Sequence, residues 1–296
     1  MANPDRIEQA LRSCLSFNPQ AGQPPRLAAA MQHAVFPGGA RTRPRLVLAV
    51  ALACGEDDTA LTNGVAAAVE LLHCASLVHD DLPCFDNAAT RRGLPSVQRA
   101  FGERLAVLTG DALIVAAYAE LARSANLHLS RLPGLLHTLC QGVGMPLGIV
   151  AGQAWECEPQ VCLRDYQQAK TGALFAAATM AGALAAGAEP EPWRALGQQL
   201  GQAYQVADDI RDVAFDAQSL GKPVGRDVAL DRPSMARALG LQGALTEFGR
   251  LIDATIATVP RCPGAARLRS LIQHEALRLV PSALIAEVRG DRVMAV

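Results

Sequence analysis

Apolar residues recur at spacings of three and four over residues 46–77, 105–121, 196–215 and 244–279, the period of helices that turn one face inward. No series of alternating β-branched segments joined by two-residue turns breaks this pattern, which therefore predicts an all-α bundle. Helix-stopping residues cluster at Pro37-Gly38-Gly39, Arg92-Gly93-Leu94-Pro95, Leu132-Pro133-Gly134, Glu189-Pro190-Glu191-Pro192, Gly221-Lys222-Pro223 and across 259–263, marking the joints between helices. None of these joints is long or polar enough for a flexible linker, so residues 1–296 are read as a single domain. Two uncharged stretches, 132–155 and 171–188, raise the question of a membrane span. The first is broken by His137, Gln141, Pro146 and Gln153, and the second is mostly Ala and Gly, which gain little in hydrocarbon. Both are expected as helices buried among other helices, without a membrane span.

Composition narrows the class. With 27 basic and 28 acidic side chains the formal net charge is −1, which argues against a strongly basic nucleic-acid binder and an acidic disordered chain. Any polyanion must be met by local clusters. The eight cysteines show no paired CxxC framework, so reduced thiols and a cytoplasmic location are expected. Residues 1–13 carry Asp5, Arg6, Glu8 and Arg12 and no continuous apolar run, so no export is expected.

Two carboxylate clusters carry the candidate chemistry. The first is Asp80-Asp81-Leu82-Pro83-Cys84-Phe85-Asp86. Pro83 disfavours helical geometry at Leu82, so the helix should end near Asp81 and the chain should turn. On a continued helix Asp86 would face away from Asp80, whereas a turn brings it back alongside. The second cluster, Gln205 through Asp212, has no breaker, and Gln205, Asp208 and Asp212 fall on one helical face. Like charges at that spacing amid Tyr204, Val206, Ala207 and Val213 call for a compensating cation. Mg2+, which prefers oxygen ligands and commonly bridges carboxylates and phosphates, fits this need. Arg41, Arg43, Arg45, Arg91, Arg92, Lys170 and Lys222 supply the forks and point charges that a diphosphate requires.

These residues resemble the trans-isoprenyl diphosphate synthases, the polyprenyl synthetase family. Asp80-Asp81-Leu82-Pro83-Cys84-Phe85-Asp86 followed by Arg91-Arg92-Gly93 matches its first motif, and Asp208-Asp209-Ile210-Arg211-Asp212 followed by Gly221-Lys222-Pro223 matches its second. The resemblance implies a helical bundle around a central cavity, usually a homodimer. It also implies an Mg2+-dependent head-to-tail joining of isopentenyl diphosphate to an allylic diphosphate. Carried over, Asp80, Asp86 and Asp208 are direct metal ligands, with Asp81, Asp209 and Asp212 as ligands or supports. The allylic diphosphate meets Arg91, Lys170 and Lys222, with Thr171 and Gln205 helping to position it. Isopentenyl diphosphate sits on Arg43, His73 and Arg92. The sequence assigns no contact to Trp155 or Glu156.

One position departs from the family pattern. The usual Gly-Gly-Lys-Arg-x-Arg-Pro reads Gly38-Gly39-Ala40-Arg41-Thr42-Arg43-Pro44, leaving Arg41 and Arg45 as the neighbouring cations to compensate for the missing lysine. This variant, with Phe85-Asp86-Asn87, is similar to geranylgeranyl diphosphate synthases of carotenoid and bacteriochlorophyll pathways. In the family an aromatic residue five positions before the first motif stops growth at C15. Here that position is Ala75, and Ala68, Leu72, Ala75 and Ser76 form a stripe expected to line the chain-length pocket. A C20 product is expected. The alternatives are a farnesyl diphosphate synthase and a noncatalytic regulatory subunit of the same fold. Terpene cyclases and head-to-head synthases fit the two motifs less well.

Overall fold

The computed structural model describes residues 4–16, 22, 24–36, 38–214 and 235–280. Helices α1 (Pro4–Cys14), α2 (Pro25–Val35), α3 (Thr42–Cys54) and α4 (Thr59–Asp80) come first. A two-stranded hairpin, β1 (Thr90–Arg91) and β2 (Leu94–Pro95), separates them from α5 (Val97–Phe101) and α6 (Glu103–Ser124). Then follow α7 (Leu132–Val143), α8 (Ile149–Ala154), α9 (Leu163–Gln167), α10 (Ala173–Ala185), α11 (Arg194–Ala214), α12 (Met235–Ala257) and α13 (Ala265–Leu279). The all-α expectation holds.

The first long apolar period is two helices rather than one. Gly55, with φ 92°, closes α3 in the left-handed region, where glycine carries no steric penalty. The Asp58 side chain then accepts hydrogen bonds from the backbone N–H groups of Ala60 and Leu61 and starts α4. The Gly and Asp were visible in the sequence, but the continuous apolar spacing masked them.

Helix α4 is the spine, packed against α6, α3 and α10 and touched by α1, α2 and α8. Its apolar side chains, Val65, Val69, Leu71 and Leu72 among them, lie in the main core with Leu48, Leu113, Leu139 and Phe175. A second apolar cluster joins Val206 and Ile210 of α11 to Phe248 and Ile252 of α12. Helix α11 contributes Leu196 to the first cluster and Val206 to the second, tying them together.

The two uncharged stretches resolve differently. Residues 132–155 divide into α7 and α8 around a cis Met145–Pro146 peptide. Residues 173–185 form α10, nearly all of it buried. Its approach to α3 is close enough that a Cβ on Gly182 would lie 2.6 Å from the Val47 carbonyl oxygen. Small residues permit that contact. By length and composition α4 and a segment Glu103–Leu127 containing α6 are apolar enough to cross a membrane. Helix α4 is 78% buried within the bundle over that window, as a core helix should be, and the α6 segment 39%.

Candidate active site

Helix α4 ends at Asp80 with Asp81 as its C-cap, and the chain turns as Pro83 requires. The Asp86 N–H donates to the Asp80 carbonyl at 2.9 Å, returning Asp86 to the end of the helix. Asp80 is buried, and its carboxyl is pushed up by desolvation and by the charges of Asp86 and Glu156, against the pull of Lys170 and Gln153. Gln153 of α8 donates to Asp80 Oδ1 at 3.0 Å.

Asp81 faces elsewhere. Its carboxylate accepts from Arg91 Nη2 at 2.5 Å and from Arg91 Nε at 3.1 Å. Burial raises the Asp81 carboxyl and the Arg91 contact lowers it. The arginine is delivered by the hairpin: Thr90 pairs with Pro95 and Arg91 with Leu94. Arg92 and Gly93 both have positive φ, 53° and 78°, as a two-residue type I′ loop demands. The sequence reading saw a helix breaker here and missed the hairpin.

In the second cluster the compensating cation comes from within the motif. Arg211 Nη2 donates to Asp208 Oδ1 at 2.9 Å, and its guanidinium lies 5.5 Å from the Tyr204 ring centre. Gln205 Nε2 donates to buried Asp209 at 3.1 Å. Asp212 closes the same turn of helix near the end of α11.

One segment joins the two clusters. Residues Gln168–Gly172 form a π-helical turn before α10, the kind of local widening often found at functional sites. Lys170 Nζ lies 3.7 Å from Asp80 Oδ1. The adjacent Thr171 donates through Oγ1 to Gln205 Oε1 at 3.1 Å. Lys170 also donates to Glu156 Oε1 at 2.5 Å, an oxygen that accepts from the Tyr166 hydroxyl at 2.5 Å as well. Gln153, Glu156 and Tyr166 were not among the sequence candidates. Their backbone segments showed no motif signal, and only the folded contact to Lys170 and Asp80 reveals them.

A basic nest lies below the acidic clusters. Arg43, which is buried, has Nη1 3.2 Å from His73 Nε2 and its guanidinium 4.6 Å from the Phe175 ring centre. Among the described residues its buried Nε has no hydrogen-bond partner, which leaves a donor suited to an oxyanion. Arg92 reaches buried Glu70 at 3.5 Å. Gly39, with φ 136°, lets it lie flat, since a Cβ there would be 2.9 Å from Arg92 Nε. His73 is held neutral well below its usual range, chiefly by burial and then by Arg43, Arg92, Arg91 and Arg41.

Arg41 does not compensate for Ala40. Its Nη1 donates to Glu70 at 2.6 Å, its Nε to Glu8 at 2.8 Å and its Nη2 to the Val35 carbonyl at 2.7 Å. It is a buried structural cation. Arg45 is held 3.3 Å from Glu275. Ala40 instead opens on a cavity of about 220 Å³ shared with Thr42, Arg45, Tyr204, Arg211 and Glu275.

Ala68, Leu72 and Ala75 are buried on α4, and the Ser76 carbonyl accepts from Gln153 at 3.1 Å. Lys222 lies outside the described residues. Among the described residues no group of three or more His, Cys, Asp or Glu side chains is arranged as a closed metal cage. Mg2+ keeps water and takes phosphate oxygens alongside one or two carboxylates. A carboxylate whose proton affinity is raised chiefly by burial, as at Asp80, is relieved by a divalent cation.

A helical bundle that brings two aspartate clusters and a nest of arginines around one spine has the architecture of the isoprenoid synthases. The polyprenyl synthetase family model matches residues 24–266. A geranylgeranyl diphosphate synthase of Cereibacter sphaeroides is 50% identical over 97% of this chain and 100% of its own length. One of Rhodobacter capsulatus is 48% identical over 95% and 98%. The crystal structure of a geranyltransferase from Helicobacter pylori, complexed with magnesium and isoprenyl diphosphate, superposes with a TM-score of 0.80 at 28% identity, covering 94% of this chain and 99% of that one. The chain belongs to the polyprenyl synthetase family.

The neutral state of His73 has a measurable consequence. In the unfolded chain its ring takes up a proton near 6.5, whereas the fold resists that proton to much lower pH. Its contribution to stability is therefore complete above the unfolded value and is lost as pH falls below it toward the folded value. His73→Gln removes this loss. Relative to the parent, the variant should gain about 1.4 kcal/mol of unfolding free energy between about pH 7.5 and pH 5.5. Urea unfolding at the two pH values measures it; an unchanged difference would mean that His73 titrates as in water.

Proposed function

We propose that this protein joins isopentenyl diphosphate head-to-tail to an allylic diphosphate with Mg2+, and that its product is geranylgeranyl diphosphate. The observation that supports the reading is that the adjacent residues Lys170 and Thr171 approach Asp80 at 3.7 Å and Gln205 at 3.1 Å, one residue in each cluster. The identity to two relatives named geranylgeranyl diphosphate synthase supports the C20 product.

In this reading Asp80, Asp86 and Asp208 hold the metal, and Asp81, Asp209 and Asp212 support them. Bound Mg2+ supplies positive charge where the leaving diphosphate becomes more negative. Arg91, Lys170 and Lys222 grip the allylic diphosphate, with Thr171 and Gln205 fixing its orientation. Arg43 and Arg92 hold isopentenyl diphosphate by charge, while His73, being neutral, offers a hydrogen bond without adding another cation. The apolar stripe of Ala68, Leu72, Ala75 and Ser76 receives the growing chain away from water, and small Ala75 leaves it room. In the same reading residues 1–296 form one catalytic domain, a reading supported by the way α11 contributes to both apolar clusters.

A second copy of this chain is the proposed partner. Helix α6 exposes Val107, Leu108 and Val115, and the segment from the end of α7 into α8 exposes Met145, Leu147 and Val150. Apolar surface of this kind favours burial against a partner, and a self-complementary patch gives a two-fold dimer. Light scattering should return twice the chain mass, and Val115→Arg should shift it toward one chain mass. A parent protein at one chain mass would rule the dimer out.

Purified protein with Mg2+, isopentenyl diphosphate and farnesyl diphosphate should yield a C20 alcohol after dephosphorylation, read by chromatography. Chelation of the metal should stop turnover, and Asp80→Asn should lower it by about 10²- to 10³-fold. No turnover even at high isopentenyl diphosphate would favour the regulatory-subunit reading, and a C15 product from a geranyl starter with no further growth would favour a farnesyl synthase.

Ala75→Phe tests the chain-length stripe separately. With a geranyl starter the variant should accumulate C15 in place of C20. An unchanged C20 product would remove Ala75 from the pocket.

A further inference from the structure

We propose that Glu156 is a positioning residue for Lys170: its carboxylate holds the ammonium group where the diphosphate will arrive and keeps it from closing onto Asp80. The proposal rests on the prenyl-transfer reading and adds to it a carboxylate outside both aspartate motifs.

The geometry is that of a three-way competition. Lys170 Nζ is 2.5 Å from Glu156 Oε1 and 3.7 Å from Asp80 Oδ1. At hydrogen-bond distance the ammonium belongs to Glu156, and toward Asp80 it is only a nearby charge. A lysine is a point charge on a flexible four-carbon stem. Left without an anchor beside a buried carboxylate, it would close on that carboxylate. Asp80 is the side chain whose oxygen a divalent ion needs, so a lysine closed onto it would oppose the metal.

The anchor is itself held. The Tyr166 hydroxyl donates to the same Glu156 oxygen at 2.5 Å, and Lys170 Nζ sits 5.8 Å from the Tyr166 ring centre. Gln153, at the start of the same segment, donates to Asp80 Oδ1 at 3.0 Å and to the Ser76 carbonyl at 3.1 Å. One stretch of chain, from the end of α8 through the single turn Trp155–Cys157, therefore sets both the carboxylate of the first motif and the cation beside it. Helix α8 also packs on the π-helical turn that carries Lys170, so both ends of the ion pair are fixed by the same contact.

The test is a double-mutant cycle read by calorimetric binding of inorganic pyrophosphate in the presence of Mg2+, with steady-state kinetics alongside. Lys170→Ala should weaken pyrophosphate binding by about 10- to 100-fold, the range of one charge-assisted contact. Glu156→Ala should weaken it by roughly 5- to 10-fold, and the double variant should be no weaker than Lys170→Ala alone, since the glutamate acts only through the lysine. Glu156→Gln keeps the oxygen acceptor for Lys170 and Tyr166 and should recover most of the loss. The KM for isopentenyl diphosphate should stay at its parent value in every variant that binds normally elsewhere.

Additive losses in the double variant, or parent-like binding by Glu156→Ala, would overturn the proposal. Should Glu156→Ala fail to fold, the cycle is run with Glu156→Leu, which fills the space without an acceptor; a loss that disappears in the Lys170→Ala background supports the positioning role, and an additive loss overturns it. A parent protein that turns over with additive variants sinks the positioning role alone. A parent protein that neither turns over nor binds pyrophosphate sinks it together with the reading of the site.

Discussion

A carboxylate taken out of water must be met by positive charge or hydrogen-bond donors, and this fold answers that demand separately at each aspartate. Asp81 is met by Arg91, Asp208 by Arg211, Asp209 by Gln205, and Asp80 by Gln153 with Lys170 at a distance. Lys170, the cation beside Asp80, is drawn toward Glu156. Burial raises the carboxyls of Asp80 and Asp81 alike, against Lys170 and Gln153 at the one and Arg91 at the other.

The basic wall follows the opposite logic. Glu70, fully inside the bundle, is the counter-ion for Arg41 and Arg92 together, while Arg43 rests on an aromatic face and a neutral imidazole. Removing one member of a buried ion network leaves another charge uncompensated, at a cost of about 3 to 5 kcal/mol, so Glu70 constrains the nest more than any single arginine does. The same accounting explains why Arg41 is no substitute for a lysine at position 40. Its three contacts, to Glu8, Glu70 and the Val35 carbonyl, use both of its terminal nitrogens and its Nε.

Much of this was legible in the sequence because it rests on local rules. Pro83 ended α4 where its ring must, and the return of Asp86 to Asp80 followed. The helical face shared by Gln205 and Asp208 came from spacing alone, whereas the choice of His73 came from the family resemblance. What was not legible depended on contacts between distant segments. The fate of Arg41 is set by Glu8 and Glu70, which lie 33 and 29 residues away. The contact of Glu156 with Lys170 spans 14 residues across a π-helical turn that no periodicity announces. The hairpin at Arg91 and Arg92 was missed for a different reason: two-residue strands carry too little pattern to register, and the Arg-Gly pair reads first as a breaker. Lys222 falls outside the described residues, so the structure adds nothing to its reading.

Helix α4 sets the scale on which the two walls cooperate. Glu70, His73 and Asp80 sit on it in that order, and the seven residues from His73 to Asp80 amount to about 10 Å of rise with a rotation of only about 20°. The basic nest and the acidic clusters therefore face the same side of one rigid element at a separation fixed by helix geometry rather than by loops. Two anionic headgroups held at those levels would keep their charges apart while their hydrocarbon portions share the space between. A neutral His73 matters to that arrangement. A further positive charge beside Arg43 and Arg92 would bind an anion there more tightly in the ground state without any added preference for the transition state, and uniform binding does not speed a chemical step.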